Sequence, residues 1–200
     1  MPIENTSPTA RVRSVKDPTH TRRAIIDAAV ELLIQGGKPA PLDRVAAAAG
    51  VSKGGLLHHF SSQAEISIAV CEESSERLWT SVHELIEPDD QTPGRVLRAY
   101  VRALLGESQG AVTAFMHMAA LLFFRDNEAV HNIARADADR WRQAFEVDGV
   151  PFERWLLVRF AAEGAVACVD SPYIDEVEQA ALRRTLLELA EIPDATEERS

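Results

Sequence analysis

The sequence predicts an all-α protein: an N-terminal three-helix head with helix-turn-helix spacing, followed by a larger helical body. Three observations lead there. Apolar residues recur at i, i+3, i+4 and i+7 through most of the chain. Pro, Gly, Asp and Asn signals separate these recurrences. No segment shows the period-two alternation and tight turn of a strand pair, and no internal repeat is present.

The opening stretch is polar, marked by prolines and without hydrophobic period, so residues 1–18 read as a mobile arm. Its Arg11, Arg13 and Lys16 either lie along a minor groove or belong to a plain disordered tail. From Thr21, residues Ile25, Ala28, Ala29, Leu32 and Leu33 fall on one helical face, closed by Gly36-Gly37. A loop with Pro39 and Pro41 starts a short second helix in which Leu42, Val45, Ala46 and Ala49 are apolar and Gly50 is the stop; Pro41 fits its first turn. Ser52 caps a third helix through Phe60. Beyond Ser61-Ser62, the series Ile66, Ala69, Val70, Leu78, Trp79, Val82 and Ile86 predicts one long helix to Pro88, a rod able to connect two domains. Further helices are expected near 93–107, 110–125, 127–147, 152–169 and 174–191, bounded by Pro93-Gly94, Asp148-Gly149 and Ser171-Pro172.

Composition narrows the function. With 200 residues, 46% of them hydrophobic and 26% charged, the chain can bury one good core or two small ones sharing a helix. Charge interrupts every apolar stretch well before the roughly 18–20 residues that span a bilayer, and no apolar signal region opens the chain, so a cytoplasmic location without membrane partners is expected. The net charge of −10 argues against indiscriminate coating of nucleic acid. Its distribution is uneven: residues 1–60 hold eight Lys/Arg against five Asp/Glu, a net +3, while residues 61–200 hold 13 against 26, a net −13. A positive head on an acidic body is the pattern of a protein that offers only its head to phosphate. Cys71 and Cys168 are isolated, without ligand spacing, and read as free thiols; no metal and no cofactor is expected.

The segment 42–60, LDRVAAAAGVSKGGLLHHF, has the form of a helix-turn-helix. Gly50 gives the turn its backbone freedom, and Val45, Ala46, Val51 and Leu56 are spaced to pack the two helices together. Lys53, Gly54, Gly55, Leu57, His58 and His59 remain for the outward face. Two adjacent glycines at a helix start cost up to about 1 kcal/mol each relative to Ala; close approach of backbone to DNA would offset that cost. The competing reading is a packed helical corner or a protein-contact element.

The run from Thr21 to Val70, TRRAIIDAAVELLIQGG followed by LDRVAAAAGVSKGGLLHHF and SSQAEISIAV, resembles the DNA-binding domain of the TetR (tetracycline repressor) family of transcriptional regulators in order, spacing and helix lengths. The resemblance covers the first third of the chain; the rest is similar only in being helical and of fitting length. It implies that Ser52 and Lys53 meet phosphate and groove, that Gly55, Leu57 and His58 lie against base edges or backbone, and that His59 touches phosphate. Three positions depart from the family's habit: Leu57 stands where a Tyr is common, Gln63 where a Lys is common, and Pro41 where a Ser or Thr is common. Each removes a contact to the DNA backbone, shifting weight to Arg22, Arg44 and the arm.

In the body, Phe115, Met116, Met118, Leu121, Leu122, Phe123 and Phe124 make one helix apolar almost all round, with His117 its single polar interruption. Trp141, Phe145, Phe152, Trp155 and Phe160 add bulk. An effector pocket lined by Phe115, His117, Met118, Leu122, Trp141 and Trp155 is expected, with Arg159 and Glu163 as an internal ion pair or pocket anchor; a solid core with His117 satisfied by a neighbour is the alternative. The small residues Ala161, Ala162, Gly164, Ala165 and Ala167, with the stripe Leu182, Leu186, Leu189 and Ala190, suit a four-helix dimer bundle, against packing within one chain.

The expected division is therefore an arm over 1–18, a DNA-binding head over 19–64, a ligand-binding and dimerisation body over 65–192 and a tail over 193–200. The expected function is a ligand-responsive homodimeric repressor of a palindromic double-stranded operator, released by a small apolar or amphipathic effector. No nucleophile elbow, HExxH, Walker loop or dinucleotide turn is present, and no catalytic residue is assigned. A ligand-binding or scaffold protein with an inactive DNA head, or a small helical enzyme, are the rival classes.

Overall fold

The computed structural model describes residues 18–122, 127–169 and 171–192. Among these the chain is all-helical, with no strand. The helices are α1 (Pro18–Gly36), α2 (Leu42–Ala48), α3 (Lys53–His59), α4 (Gln63–His83), α5 (Arg95–Arg102), α6 (Gln109–Leu122), α7 (Glu128–Val147), α8 (Phe152–Ala167) and α9 (Glu176–Ala190). Arg11, Arg13, Lys16, Phe123, Phe124 and the expected tail lie outside the described residues.

Four boundaries differ from the sequence expectation, each for a local reason. Pro41 is the N-cap of α2 and not part of its first turn, with ψ near 147°. The rod α4 stops at His83, where Glu84 closes it and Leu85 and Ile86 continue as a turn. The helix expected over 93–107 begins only at Arg95, because Gly94 sits at φ 88°, and ends in a π turn over Ala103–Glu107 in which Gly106 takes φ 130°. A side chain at 94 is excluded twice over, since a Cβ there would lie 2.1 Å from the Ala190 carbonyl oxygen. Finally, Asp175 caps α9 one residue before its start: its carboxylate accepts from Glu178 N at 2.8 Å while Glu178 accepts from Asp175 N at 3.0 Å.

Two apolar clusters share α4. The head cluster joins Ile25, Ile26 and Leu33 of α1, Val45 and Ala46 of α2, Leu56 of α3, and Ile66, Ala69, Val70 and Cys71 of α4, with Leu121 and Val130 reaching in from the body. The body cluster takes Leu78 and Val82 from the other end of α4 and packs them with Leu97, Tyr100, Trp141, Phe145, Trp155, Val158 and Leu186. Full burial of such side chains contributes roughly 1.5–3 kcal/mol each. The expected division at 64/65 thus falls in the first turn of α4, while the head's cluster extends along that helix to Cys71.

Candidate nucleic-acid interface and effector cavity

The head presents α3 outward. Ser52 is its N-cap, accepting from Gly55 N at 3.0 Å, which leaves the Ser52 hydroxyl hydrogen free to donate elsewhere. A Cβ at Gly55 would lie 3.2 Å from that same hydroxyl oxygen, so this glycine lets the cap close. Gly54 faces open space, and no contact among the described residues requires it to be glycine. The turn between α2 and α3 depends on Gly50 at φ 64°. Leu56 is fully buried, and its neighbours on the other face, Lys53, Gly54, Leu57 and His58, are exposed together. His59 is half-buried, its ring edge-on to that of His58 at 5.5 Å.

Two cations flank this surface. The Arg22 guanidinium lies over the Phe60 ring at 5.1 Å, which holds α1 beside the end of α3. Arg44 is exposed on α2. The Lys53 ammonium is paired with Asp43 of α2 at 2.9 Å, both side chains being mostly in solvent. Gln63, read from sequence as a lost phosphate contact, has a role inside the chain: its amide donates to the Ala40 carbonyl at 2.9 Å and pins the loop before α2.

The body carries a cavity of about 210 Å³ among α4 to α8. Of the expected effector residues, Phe115, Met118, Leu122, Trp141, Arg159 and Glu163 line it. His117 and Trp155 do not. His117 turns toward α4, where its Nδ1 lies 3.5 Å from Ser74 Oγ, and burial holds its pKa below the usual value. Trp155 packs inside the aromatic cluster, 5.7 Å from Phe145 and 5.2 Å from Phe152. Met116, expected inside, is exposed.

Sequence reasoning missed Leu78, Tyr100 and Asp137, which also line the cavity. Asp137 was legible: it stands in the helical series Val130, Ala134, Asp137, Ala138, Trp141 and Phe145, a carboxylate on the apolar stripe of α7. It is only 7% exposed and accepts from Ser75 Oγ at 2.5 Å. Burial raises its pKa above the ordinary aspartate value, against the opposing Ser75 hydrogen bond and the charges of Arg159 and Arg140. Opposite it, Glu163 accepts from Arg159 Nε at 2.7 Å and from Tyr100 Oη at 2.8 Å, closing the expected ion pair inside the molecule.

The expected dimer residues divide. Leu186 is 2% exposed and Ala165 is buried, both packed in the chain's own body cluster. Leu182, Leu189 and Ala161 are half-buried against the same cluster. The leucine stripe of α9 packs on α5 and α8 of its own chain. Gly164 alone of the six is exposed, and it continues an apolar face of α8 carrying Leu157 and Phe160, each 60% exposed.

No helix among the described residues is long and apolar enough to cross a membrane. No cluster of three or more His, Cys, Asp or Glu among them is placed to hold a metal ion. Cys71 is buried, which pushes its thiol up to about 11.

A helix-turn-helix whose second helix stands free is mounted on a helical body with a cavity, and comparison with known proteins specifies the class. Residues 25–70 match the family of bacterial regulatory proteins of the tetR type, and residues 94–191 match the tetracyclin repressor-like C-terminal domain. The chain belongs to the TetR family and is a DNA-binding transcriptional regulator. Among curated proteins it is similar to TtgW, an uncharacterized HTH-type transcriptional regulator of Pseudomonas putida, with 39% identity over 59 residues. That match spans 29% of this chain and less than half, 44%, of the relative.

Solved structures share the fold over most of the chain. A transcriptional regulator from Rhodococcus sp. Rha1 superposes with TM-score 0.67 at 22% identity, covering 88% of this chain and 94% of that one. A TetR family regulator from Agrobacterium tumefaciens gives 0.67 at 18%, covering 88% and 100%. The multidrug binding protein EbrR, solved with imidazole, gives 0.58 at 21%, covering 88% and 97%.

Proposed function

We propose that the protein is a homodimeric, ligand-responsive repressor. The α3 helices of two chains read a palindromic operator, and a small apolar or amphipathic effector in the body releases them. Lys53, Gly54, Gly55, Leu57 and His58 would enter the major groove, with Ser52, His59, Arg22 and Arg44 on phosphates. The pairing surface would be the exposed face of α8 around Leu157, Phe160 and Gly164, because contiguous large apolar side chains at a surface favour burial against a partner.

One observation carries the reading. Four consecutive residues of α4 bond three other helices: Glu73 pairs with Arg23 of α1, Ser74 meets His117 of α6, and Ser75 and Glu76 meet Asp137 and Arg140 of α7, Ser75 as a donor. Cavity and reading head are thus fastened to adjacent rungs of one helix. An effector that changes the seat of α7 against α4 shifts α1 and the head with it. For this it must bind the two states unequally; a tenfold loss of operator affinity needs about 1.4 kcal/mol of coupling.

Selection of bound sequences from random double-stranded DNA tests the DNA half. The expected product is a palindrome with half-sites about 34–36 Å apart or a multiple of it. Failure to enrich any sequence, at low salt and with a protein shown to be folded, would overturn it. Each compound that raises the melting temperature is then titrated with and without operator, and identical affinities would remove it as an effector.

A further inference from the structure

We propose that the cavity of the body takes an organic cation, a protonated amine or quaternary ammonium group on an apolar aromatic body, whose charge is met by the Asp137 carboxylate. This rests on the reading of that cavity as the effector site.

The argument begins with the charges that face the cavity. Arg159 and Glu163 neutralise each other at 2.7 Å, and the Tyr100 hydroxyl completes the Glu163 shell. Asp137 has no such partner. Among the described residues it forms no ion pair; its one hydrogen bond comes from the neutral Ser75 hydroxyl, and Arg140 of its own helix is turned outward to Glu76. The charged groups acting on it are Arg159 of α8, Arg140 of α7 and Glu76 of α4. The cavity therefore holds one negative charge in excess, on a side chain 93% removed from solvent by the 7% exposure above. An unpaired buried carboxylate is costly, and a cation beside it recovers that cost.

The surrounding surface fits the rest of such a ligand. Trp141 lies one helical turn beyond Asp137 on the same face of α7, with the Tyr100 ring edge-on to it at 4.9 Å, and Phe115, Met118 and Leu122 complete an apolar wall. Aromatic faces attract cations, with Trp the strongest of them, so the carboxylate and the rings favour the same charge. A carboxylate ligand would find Arg159 already occupied and Asp137 repelling it. A neutral ligand would leave Asp137 uncompensated.

Three probes with one aromatic body separate these outcomes: 1-naphthylmethylamine, 1-naphthylmethanol and 1-naphthylacetate, titrated calorimetrically into the full chain. The amine is expected to bind at least tenfold more tightly than the alcohol, with the acid weakest. Asp137→Asn should lower amine affinity about tenfold and leave that for the alcohol within twofold. In the wild type, amine affinity should rise as pH is raised through the ionisation of Asp137, because only the carboxylate attracts it; the Asn variant should lose that dependence. If Asp137→Asn does not fold, this wild-type pH series decides alone, and an affinity that stays level overturns the assignment. Alcohol or acid binding as tightly as the amine overturns the cation and leaves a ligand-responsive cavity standing. Absence of binding by all three, with operator affinity unmoved by them, overturns both.

Discussion

In the head, apolar side chains close on one another and the polar groups at the ends of the helices finish caps and loops: Ser52 on Gly55, Ser62 on Glu65, Gln63 on Ala40. In the body, Asp137, His117, Ser74 and Ser75 are instead drawn inside, where they bond in pairs, with Asp137 at the cavity wall. The difference fits the two roles proposed for these regions. A rigid reading surface needs its polar groups outside and its helices fixed, whereas an internal site for a small molecule has to bury polar groups and leave them incompletely matched until the ligand arrives. The helix α4 belongs to both, with Ile66 to Cys71 on the closed side and Leu78 and Val82 on the open one.

The largest effect separates what the body buries from what it shows. Leu186→Glu places a charge without a partner in the body cluster and should cost more than about 4 kcal/mol, enough to unfold a domain of ordinary stability. Leu157→Glu with Phe160→Glu changes only exposed positions and should leave the melting temperature of the isolated chain nearly unchanged while abolishing the dimer. Light scattering and circular dichroism on both variants check this pair of outcomes. A folded monomer from Leu186→Glu, or an intact dimer from the double variant, would move the interface away from α8.

An intermediate effect probes the polar interior. Burial raises the pKa of Asp137 above its ordinary 3.8, so the protonated form is the one the fold prefers. The stability this group contributes is complete below 3.8 and is lost as pH rises through the raised value. Asp137→Asn resembles the protonated form and still accepts from Ser75. Without ligand it should therefore melt higher than the wild type at neutral pH, by a few degrees for about 1 kcal/mol, and the advantage should vanish in acid. A wild type that melts higher at neutral pH would mean that Arg159 and Arg140 already compensate the carboxylate.

Much of the head was legible because its signals are local. Gly50, the Ser52 cap and the series Val45, Ala46, Val51 and Leu56 all act within a few residues of one another, and the structure places them as their spacing implies. The role of Gln63 inside the chain was not legible because its partner, the Ala40 carbonyl, lies 23 positions away. In the body, period alone could not say which neighbour each apolar face meets. The stripe Leu182, Leu186 and Leu189 has the spacing of a dimer seam, and α5 and α8 of the same chain also pack against it. Six of the eight expected effector residues line the cavity, because large apolar side chains and a charged pair on an apolar helix mark the interior of the body. Asp137 escaped because α7 is rich in charge, and only its place among Ala134, Ala138 and Trp141 distinguishes it from the solvated aspartate at 139.

The smallest effect concerns the reading surface. Lys53 is exposed on the first turn of α3, and in the absence of DNA it pairs with Asp43 at 2.9 Å. An exposed pair of this kind contributes about 0–1 kcal/mol, so a phosphate can displace the carboxylate at little cost. Lys53→Ala should weaken operator binding and lower the slope of log K against log salt by about one, the loss of a single phosphate contact. Asp43→Ala removes the competitor and should have the opposite sign: equal or tighter binding with the slope retained. Fluorescence anisotropy across a salt series on both variants checks the pair. A Lys53→Ala variant that keeps the wild-type slope but loses preference at one base pair would move Lys53 from the phosphate to a base edge. An Asp43→Ala variant that binds more weakly would mean that the bridge holds α2 and α3 in reading position, so that even the outermost contact of the head serves its rigidity.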